Sequence, residues 1–498
     1  MRALRQFWLG EVDLAPLCVF RILYGLQLVN WVWQLYPNLS AFFTDEGILP
    51  RRALLVSYAD RLTLLDLFGT WWQVAIFWVA ALGVAAMLTV GWRSRLGAFL
   101  AFVVVSSFSW RDPLILDGSD FVFRVVPFWL MFTDCGARYS MDARRRSDRG
   151  EPARVRGFAL PVRILELQVA WIYLATGLEK LAGHLWPSGA AAYYALQLEH
   201  TFGRTWASAI ATNALFANAI SYGTLAVELA FAPLAMVPSR VTRLLAVACA
   251  AGLHVGILAL MNVGNFPVIM LSALVLFLPA HWVAEGAEAV RTRLDTRLLR
   301  PRAVAYADAA VAHRAVPRPR TIVAPRVSGN ALERSVHGLA LGAFALVAFA
   351  TAAPSQLDVV RPQGDAASLL RFLSVDQRWD MFAPEPVRAD GWMMMPATLA
   401  DGTRLDWLTR APVDNGGERY SDALYSRWVK VQERIASAAY ADYRLEFGRS
   451  FCRARNLHLG PGESTLESFE IRYAERVIAP PGEPAVVPRD ILLWSHQC

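Results

Sequence analysis

Long apolar runs separated by short polar stretches dominate the first 280 positions of the chain, and one more follows at 336–353. A helix that crosses a bilayer needs about 20 apolar residues. The pattern predicts nine helical spans, at about 15–36, 71–90, 96–111, 119–134, 161–182, 217–236, 242–262, 265–280 and 336–353. From 354 onward the long runs stop. Asp401-Gly402, between MMMPATL and RLDWL, predicts a β-hairpin turn. Residues 421–443 have the spacing of an amphipathic helix, and EIRYAERV (470–477) that of a strand. The stretch 291–325, rich in Ala, Arg and Pro, predicts a linker with a helical start. The expected fold is mainly α: a polytopic helical membrane bundle over 1–280, a basic cytoplasmic linker over 281–335, a last transmembrane helix over 336–353, and an exported soluble α+β domain over 354–498.

Composition supports this reading. The 498 residues are 55% hydrophobic and 18% charged, where a soluble domain carries roughly a quarter charged residues. A net charge of +7 would suit nucleic acid, but the arginines gather in loops between spans, which is the topology signal. Membrane lipid is therefore an expected partner and nucleic acid is not. The arginine-rich loops (91–96, 135–163, 237–243, 281–334) alternate with arginine-poor ones (111–118, 185–221, 261–265). This order puts the N-terminus in the cytoplasm and, with nine spans, the tail outside. The loop 37–70 departs from the alternation because it holds Arg51, Arg52 and Arg61. Cys452 and Cys498 share the exported tail, where a disulfide between them is expected.

The chain has only two lysines, Lys180 and Lys430, against 47 arginines. Lys180 lies near the end of the run PVRILELQVAWIYLATGLEKL. Arginine keeps its proton in essentially any site, whereas a lysine in low-dielectric surroundings can lose it and act as a base. One reading is a lysine snorkelling from a helix end. The other is functional, the default for an ionisable group inside a span, and the near-absence of lysine elsewhere favours it. Tyr173 and Thr176 fall on the same helix face. Arg21 and Gln27 in the first span, Asp120 and Arg124 in the fourth, Glu228 in the sixth and His254 in the seventh are further polar residues at membrane depth. Singly each has a structural explanation, with Glu228 available as a counter-ion to Arg21. Together they imply a polar chamber, because unpaired charges facing lipid are costly. No metal is expected, since the eight histidines form no HxxxH or HxH pair and the cysteines no CxxC.

Several segments resemble the horizontally transferred transmembrane (HTTM) family, which includes the vitamin K-dependent gamma-carboxylases. PLCVFRILYGL (16–26) is similar to the family's opening span. YLATGLEKLAGHLWPSG (173–189) is similar to a helix ending in Gly-x-x-Lys-Leu, followed by a tryptophan (Trp186) and a glycine. LHVGILALMNVGNFPVIML (253–271) resembles the later segment that carries a histidine, RYSMDA (138–143) matches a Ser-x-Asp, and QRWDMFAPEP (377–386) with the following DGW (390–392) is similar to bacterial members.

The resemblance implies an integral protein of a bacterial inner or plasma membrane and a lyase-type chemistry. A deprotonated lysine takes a proton from a reduced quinone such as vitamin K hydroquinone or menaquinol. Oxygen then adds, and the resulting base removes a γ-proton from a glutamate that captures CO₂. By motif position the catalytic residues are Lys180 and His254. The chamber for quinone or substrate comprises Arg21, Asp117, Ser119, Asp120, Arg124, Tyr173, Thr176, Trp186 and Glu228. The carboxylases' Asn-Asn-His is replaced here by Asp117, Gly118 and Ser119, which points to quinol oxygenation with or without carboxylation. The competing expectation is a membrane maturation factor for a small secreted peptide or toxin, without quinone chemistry.

Overall fold

The computed structural model describes residues 2–57, 61–298, 331–353, 362–412, 426–457, 459–460 and 462–498. It is mainly helical with a C-terminal sheet. Among the described residues five helices are long and apolar enough to cross a membrane: Ala15–Phe43, Trp71–Val90, Ala159–Ala182, Ala214–Ala235 and Arg240–Leu260. A sixth span results if Phe266–Phe277 and Ala280–Arg293, bent by 116°, count as one.

Five or six of the nine expected spans thus meet that length and apolarity among the described residues, and the others differ for local reasons. The predicted span at 96–111 is the helix Ser94–Arg111, whose last turns bury Ser106, Ser107, Ser109 and Arg111. The one at 119–134 is Gly118–Leu130; its 13 residues reach only about 20 Å, short of the roughly 30 Å hydrocarbon core. The one at 265–280 breaks into Phe266–Ala273 and a 3₁₀ turn. In Ala331–Ala350 only Ala340–Ala350 is continuously apolar.

Burial sorts the five helices. The apolar window of Ala159–Ala182 is 72% buried inside the protein, against 17% for Arg240–Leu260 and 28% for Ala214–Ala235. The helix that carries Lys180 is therefore the axis of the bundle, and the other two turn apolar faces outward. Their boundaries follow from capping. Thr70 and Gln73 form a reciprocal capping box at the start of Trp71–Val90. That helix ends at Gly91, in a left-handed conformation (φ 70°), where a side chain would also collide with the Arg21 guanidinium.

In the tail, Leu466–Val477 is the central strand. One of its edges pairs with Ala389–Met394 (Trp392 opposite Ala474) and Pro396–Leu399 (Ala397 opposite Phe469), the other with Arg489–Gln497 (Ile471 opposite Trp494). Pro396–Leu399 turns back into Arg404–Asp406 through Asp401-Gly402, with Gly402 at φ 84° and the Asp401 carboxylate accepting from Thr403 N–H, as the hairpin reading required. The strand predicted at 470–477 starts earlier, at Leu466. The amphipathic helix predicted at 421–443 is Trp428–Ala436, cut by extended Ser437, whose hydroxyl caps a 3₁₀ turn over Ala438–Tyr443; residues 421–425 lie outside the described residues. The linker's helical start is Ala280–Leu298, and 299–330 also lie outside them.

Cys452 and Cys498 are bridged, and Cys18, Cys135 and Cys249 are free. The bridge closes a separation of 46 residues, worth about 4 kcal/mol to the tail in the chain-entropy model. Reduction under native conditions is therefore expected to lower the tail's unfolding midpoint in denaturant. An unchanged midpoint with both thiols alkylated would contradict that.

The tail sits on one end of the bundle. Trp428 Nε1 donates to Asn38, Arg434 to the Leu116 carbonyl and Arg453 to the Gly47 carbonyl, at 2.6–3.0 Å. Gln377 and Gln168 bond each other deeper inside.

Candidate active site around Lys180

Gly177, three residues before Lys180, faces the helix Ala214–Ala235. A Cβ there would stand 3.0 Å from the Glu228 Cβ and 3.1 Å from Leu229. The glycine lets the two helices close, and the Lys180 Nζ then donates to Glu228 Oε1 at 2.5 Å. Lys180 is 4% exposed and Glu228 7%, so the lysine is held inside the protein. On its other side the ammonium lies 4.4 Å from the centre of the Trp186 ring, a cation–π contact worth about 2 kcal/mol when desolvated.

Two turns back, the Tyr173 hydroxyl meets His254 Nε2 at 2.6 Å, and its ring stacks on Phe231 at 4.2 Å. Phe266 lies edge-on to His254. Two buried polar atoms here have no hydrogen-bond partner among the described residues, Glu228 Oε2 and His254 Nδ1. Thr176, although on the same helix face, turns its hydroxyl to the Ile172 carbonyl of its own helix.

The tail closes this site with the segment 381–385. The Trp186 Nε1–H donates to the Phe382 carbonyl at 2.8 Å. Glu385 accepts from the backbone N–H groups of His184 and Leu185 at 2.5 and 3.0 Å and from Arg388. Phe382 holds a left-handed backbone (φ 54°), unusual for a residue with a bulky side chain, and packs edge-on against Phe202. Close approach needs glycine twice. A Cβ on Gly183 would stand 2.2 Å from the Pro384 carbonyl oxygen, and one on Gly118 2.9 Å from the Met381 sulfur. The strap of QRWDMFAPEP thus holds the indole that covers Lys180.

The remaining candidate residues sit elsewhere. Arg21 donates to the backbone carbonyls of Cys135 and Tyr139 at 3.3 and 2.6 Å; its suggested counter-ion, Glu228, belongs to Lys180 instead. Asp117 caps the helix Gly118–Leu130 through Ser119, in a box completed by Asp120. Asp120 is the hub of a second buried cluster, accepting from Trp31 Nε1 at 2.7 Å and from both terminal nitrogens of Arg427 at 2.7 and 2.8 Å. Arg124 pairs with Asp376 and lies over Trp110 and Phe121. Ser140 and Asp142 of RYSMDA have structural duties, Ser140 capping its own helix and Asp142 accepting from the N–H groups of Arg93 and Ser94. Sequence reasoning missed Arg427, Phe382 and Glu385. For Phe382 and Glu385 the signal was the family-like QRWDMFAPEP, and nothing local says that it touches residues some 200 positions away; Arg427 had none.

Asp390, in the DGW step, is buried. It accepts from the His200 N–H at 2.8 Å, the Thr201 hydroxyl and Arg476. Burial pushes its carboxyl up to about 6, the bonds to His200 and Arg476 only partly opposing it. A raised folded-state value stabilises most below the unfolded value near 4, and that contribution disappears as pH rises through about 6. The stability difference between wild type and Asp390→Asn, from melts at pH 4 to 7, should therefore shift in favour of the variant across this window. A pH-independent difference would refute the assignment.

The HTTM domain family model matches residues 10–282, the region that contains Lys180, Glu228 and His254. No curated protein and no solved structure matches the chain.

Proposed function

The chain belongs to the HTTM domain family, the family of vitamin K-dependent carboxylase-like proteins, and on that premise we propose that it is a membrane enzyme whose base is Lys180. Its cofactor is a reduced quinone of the vitamin K or menaquinol type, with O₂ as co-substrate, and CO₂ where a peptide glutamate is carboxylated. The carrying observation is the buried Lys180–Glu228 pair, with Glu228 Oε2 and His254 Nδ1 lacking protein partners beside it. Those atoms, bordered by Phe231, Phe266 and Trp186, suit a flat apolar ligand with polar hydroxyl groups. When bound, a quinol supplies an acidic hydroxyl and an electron-rich ring.

The chain's own residues prepare the base. The Lys180 Nζ can pass a proton to Glu228 Oε1 along the 2.5 Å contact, leaving a neutral amine beside a neutral acid. The amine can then accept a proton from a group presented to it. Tyr173 fixes the His254 ring through Nε2 and leaves Nδ1 for a ligand. Trp186, held by the strap, excludes water from the Nζ.

We also place the arginine-rich loops in the cytoplasm and the tail outside. Support comes from the docking of the tail, which engages 37–70, 111–118 and 183–203 but not the arginine-rich turns at 91–96 and 237–243, among the contacts given above. The awkward arginines of 37–70 are locally neutralised, Arg51 by Asp45, Arg61 by Asp66 and Arg52 by Glu446, so they exert little pull on topology.

Mass spectrometry of lipids co-purified from quinone-containing membranes tests the proposal. A quinone retained by wild type and depleted in His254→Ala is the expected result. Its complete absence overturns the quinone reading and leaves a maturation factor for a secreted peptide or toxin.

A further inference from the structure

The turn joining Trp71–Val90 to Ser94–Arg111 meets the segment after Gly118–Leu130 in an open cleft of about 330 Å³. This lies among the arginine-rich loops and makes no use of the Lys180 chamber. Its lining brings four guanidinium groups, Arg93, Arg95, Arg146 and Arg154, against two carboxylates, Asp134 and Asp142. Both carboxylates are engaged. Asp142 accepts from the Arg93 and Ser94 N–H groups and the Ser94 hydroxyl, and Asp134 takes Arg95 at 2.7 Å. Arg146 is engaged too, by the Gly136 and Ala137 carbonyls. Arg93 and Arg154 are exposed, and among the described residues neither guanidinium has an ion pair or hydrogen bond. Arg93 lies over the Trp92 ring at 5.6 Å, so two guanidinium groups with unpaired N–H donors among the described residues flank a polar recess.

The rim of the recess has the opposite character. Leu96, which also lines the cleft, and Phe99 are three residues apart on one helix face and are 42% and 46% exposed; Phe132, from the neighbouring segment, is 42% exposed. A soluble anion would use the arginines and gain nothing from this ridge. A phospholipid uses both, with its phosphate at Arg93 and Arg154 and its acyl chains along Leu96 and Phe99. We propose that this cleft binds the headgroup of an anionic phospholipid, fixing the arginine-rich end of the bundle to an acidic leaflet. Basic residues at such a surface attract acidic lipid strongly enough for each to be felt in binding.

The test uses the full chain in neutral detergent, with native mass spectrometry of bound phosphatidylglycerol and phosphatidylcholine of matched acyl chains. Wild type should retain phosphatidylglycerol at about tenfold lower lipid concentration. Arg93→Gln with Arg154→Gln should raise that concentration about tenfold or more and leave phosphatidylcholine unchanged. The melting point should hold, since the exposed Arg93–Trp92 contact is weak and Arg145 also lies over that ring; Arg154→Gln alone, on an exposed loop, gives a smaller shift in the same direction if the double variant folds poorly. Equal retention of the two lipids, or a double variant indistinguishable from wild type, overturns the proposal. Displacement of the lipid by millimolar inorganic phosphate, with Leu96→Ser without effect, assigns the cleft to a soluble anion and overturns it as well.

Discussion

Lys180→Arg is expected to abolish turnover while the protein still inserts and folds. Arginine keeps the positive charge, can still meet Glu228 and can lie on Trp186, but it does not give up its proton. General-base catalysis contributes about 10²–10⁴ in rate, so quinol consumption in membranes matched for protein level should fall at least about a hundredfold. Lys180→Ala should lose the same activity for the same reason, and stability as well. It leaves Glu228, 7% exposed, without its cation, and removing one partner of a buried pair costs roughly 3–5 kcal/mol. Adding Glu228→Gln to Lys180→Ala should restore much of that stability and none of the activity. This separates the two roles of the pair. Near-normal turnover in the arginine variant would end the catalytic reading and leave Lys180–Glu228 as a structural bridge between two helices.

The sequence carried the membrane class, the helix that bears Lys180 and several of the residues gathered around it, because those signals are local. Tyr173, Thr176 and Lys180 share a face by periodicity alone, and the scarcity of lysine marked Lys180 before any contact was visible. Partnership was not legible. Glu228 has no local feature that assigns it to Lys180 rather than Arg21; the choice is made by Gly177, which sets how closely two helices approach. The nine expected spans outnumber the five or six described helices long and apolar enough to cross a membrane for a similar reason. Hydropathy counts apolar residues but not whether a run such as 119–134 ends early or faces protein instead of lipid. Asp117 and Ser119 looked like chamber residues because they stand where the carboxylases carry polar ones, yet their hydrogen bonds go to a helix cap. Most opaque was the tail. Its strap and its arginines act on residues hundreds of positions earlier, and a hydrophilic stretch of sequence does not reveal which cation will be buried.

Arg427 is the clearest such case, and breaking its contact with Asp120 should detach the tail. Both terminal nitrogens of the guanidinium meet the two Asp120 oxygens at 2.7 and 2.8 Å, and Nη1 also donates to the Ile115 carbonyl. The two side chains are 7% and 2% exposed. Arg427→Met would bury an Asp120 carboxylate that retains only the Trp31 indole and the Asp117 N–H among the partners above. The expected loss is about 3–5 kcal/mol, larger than for any surface ion pair here, for which about 1 kcal/mol is the usual ceiling. Thermal melts and limited proteolysis in detergent should show the tail released before the helical domain unfolds. Asp120→Asn in the same background should recover part of the loss, since a neutral amide can still accept from Trp31 and no longer leaves a bare charge. A double-mutant cycle with a coupling below about 0.5 kcal/mol would mean that water reaches Asp120 and that the tail is held by its other contacts.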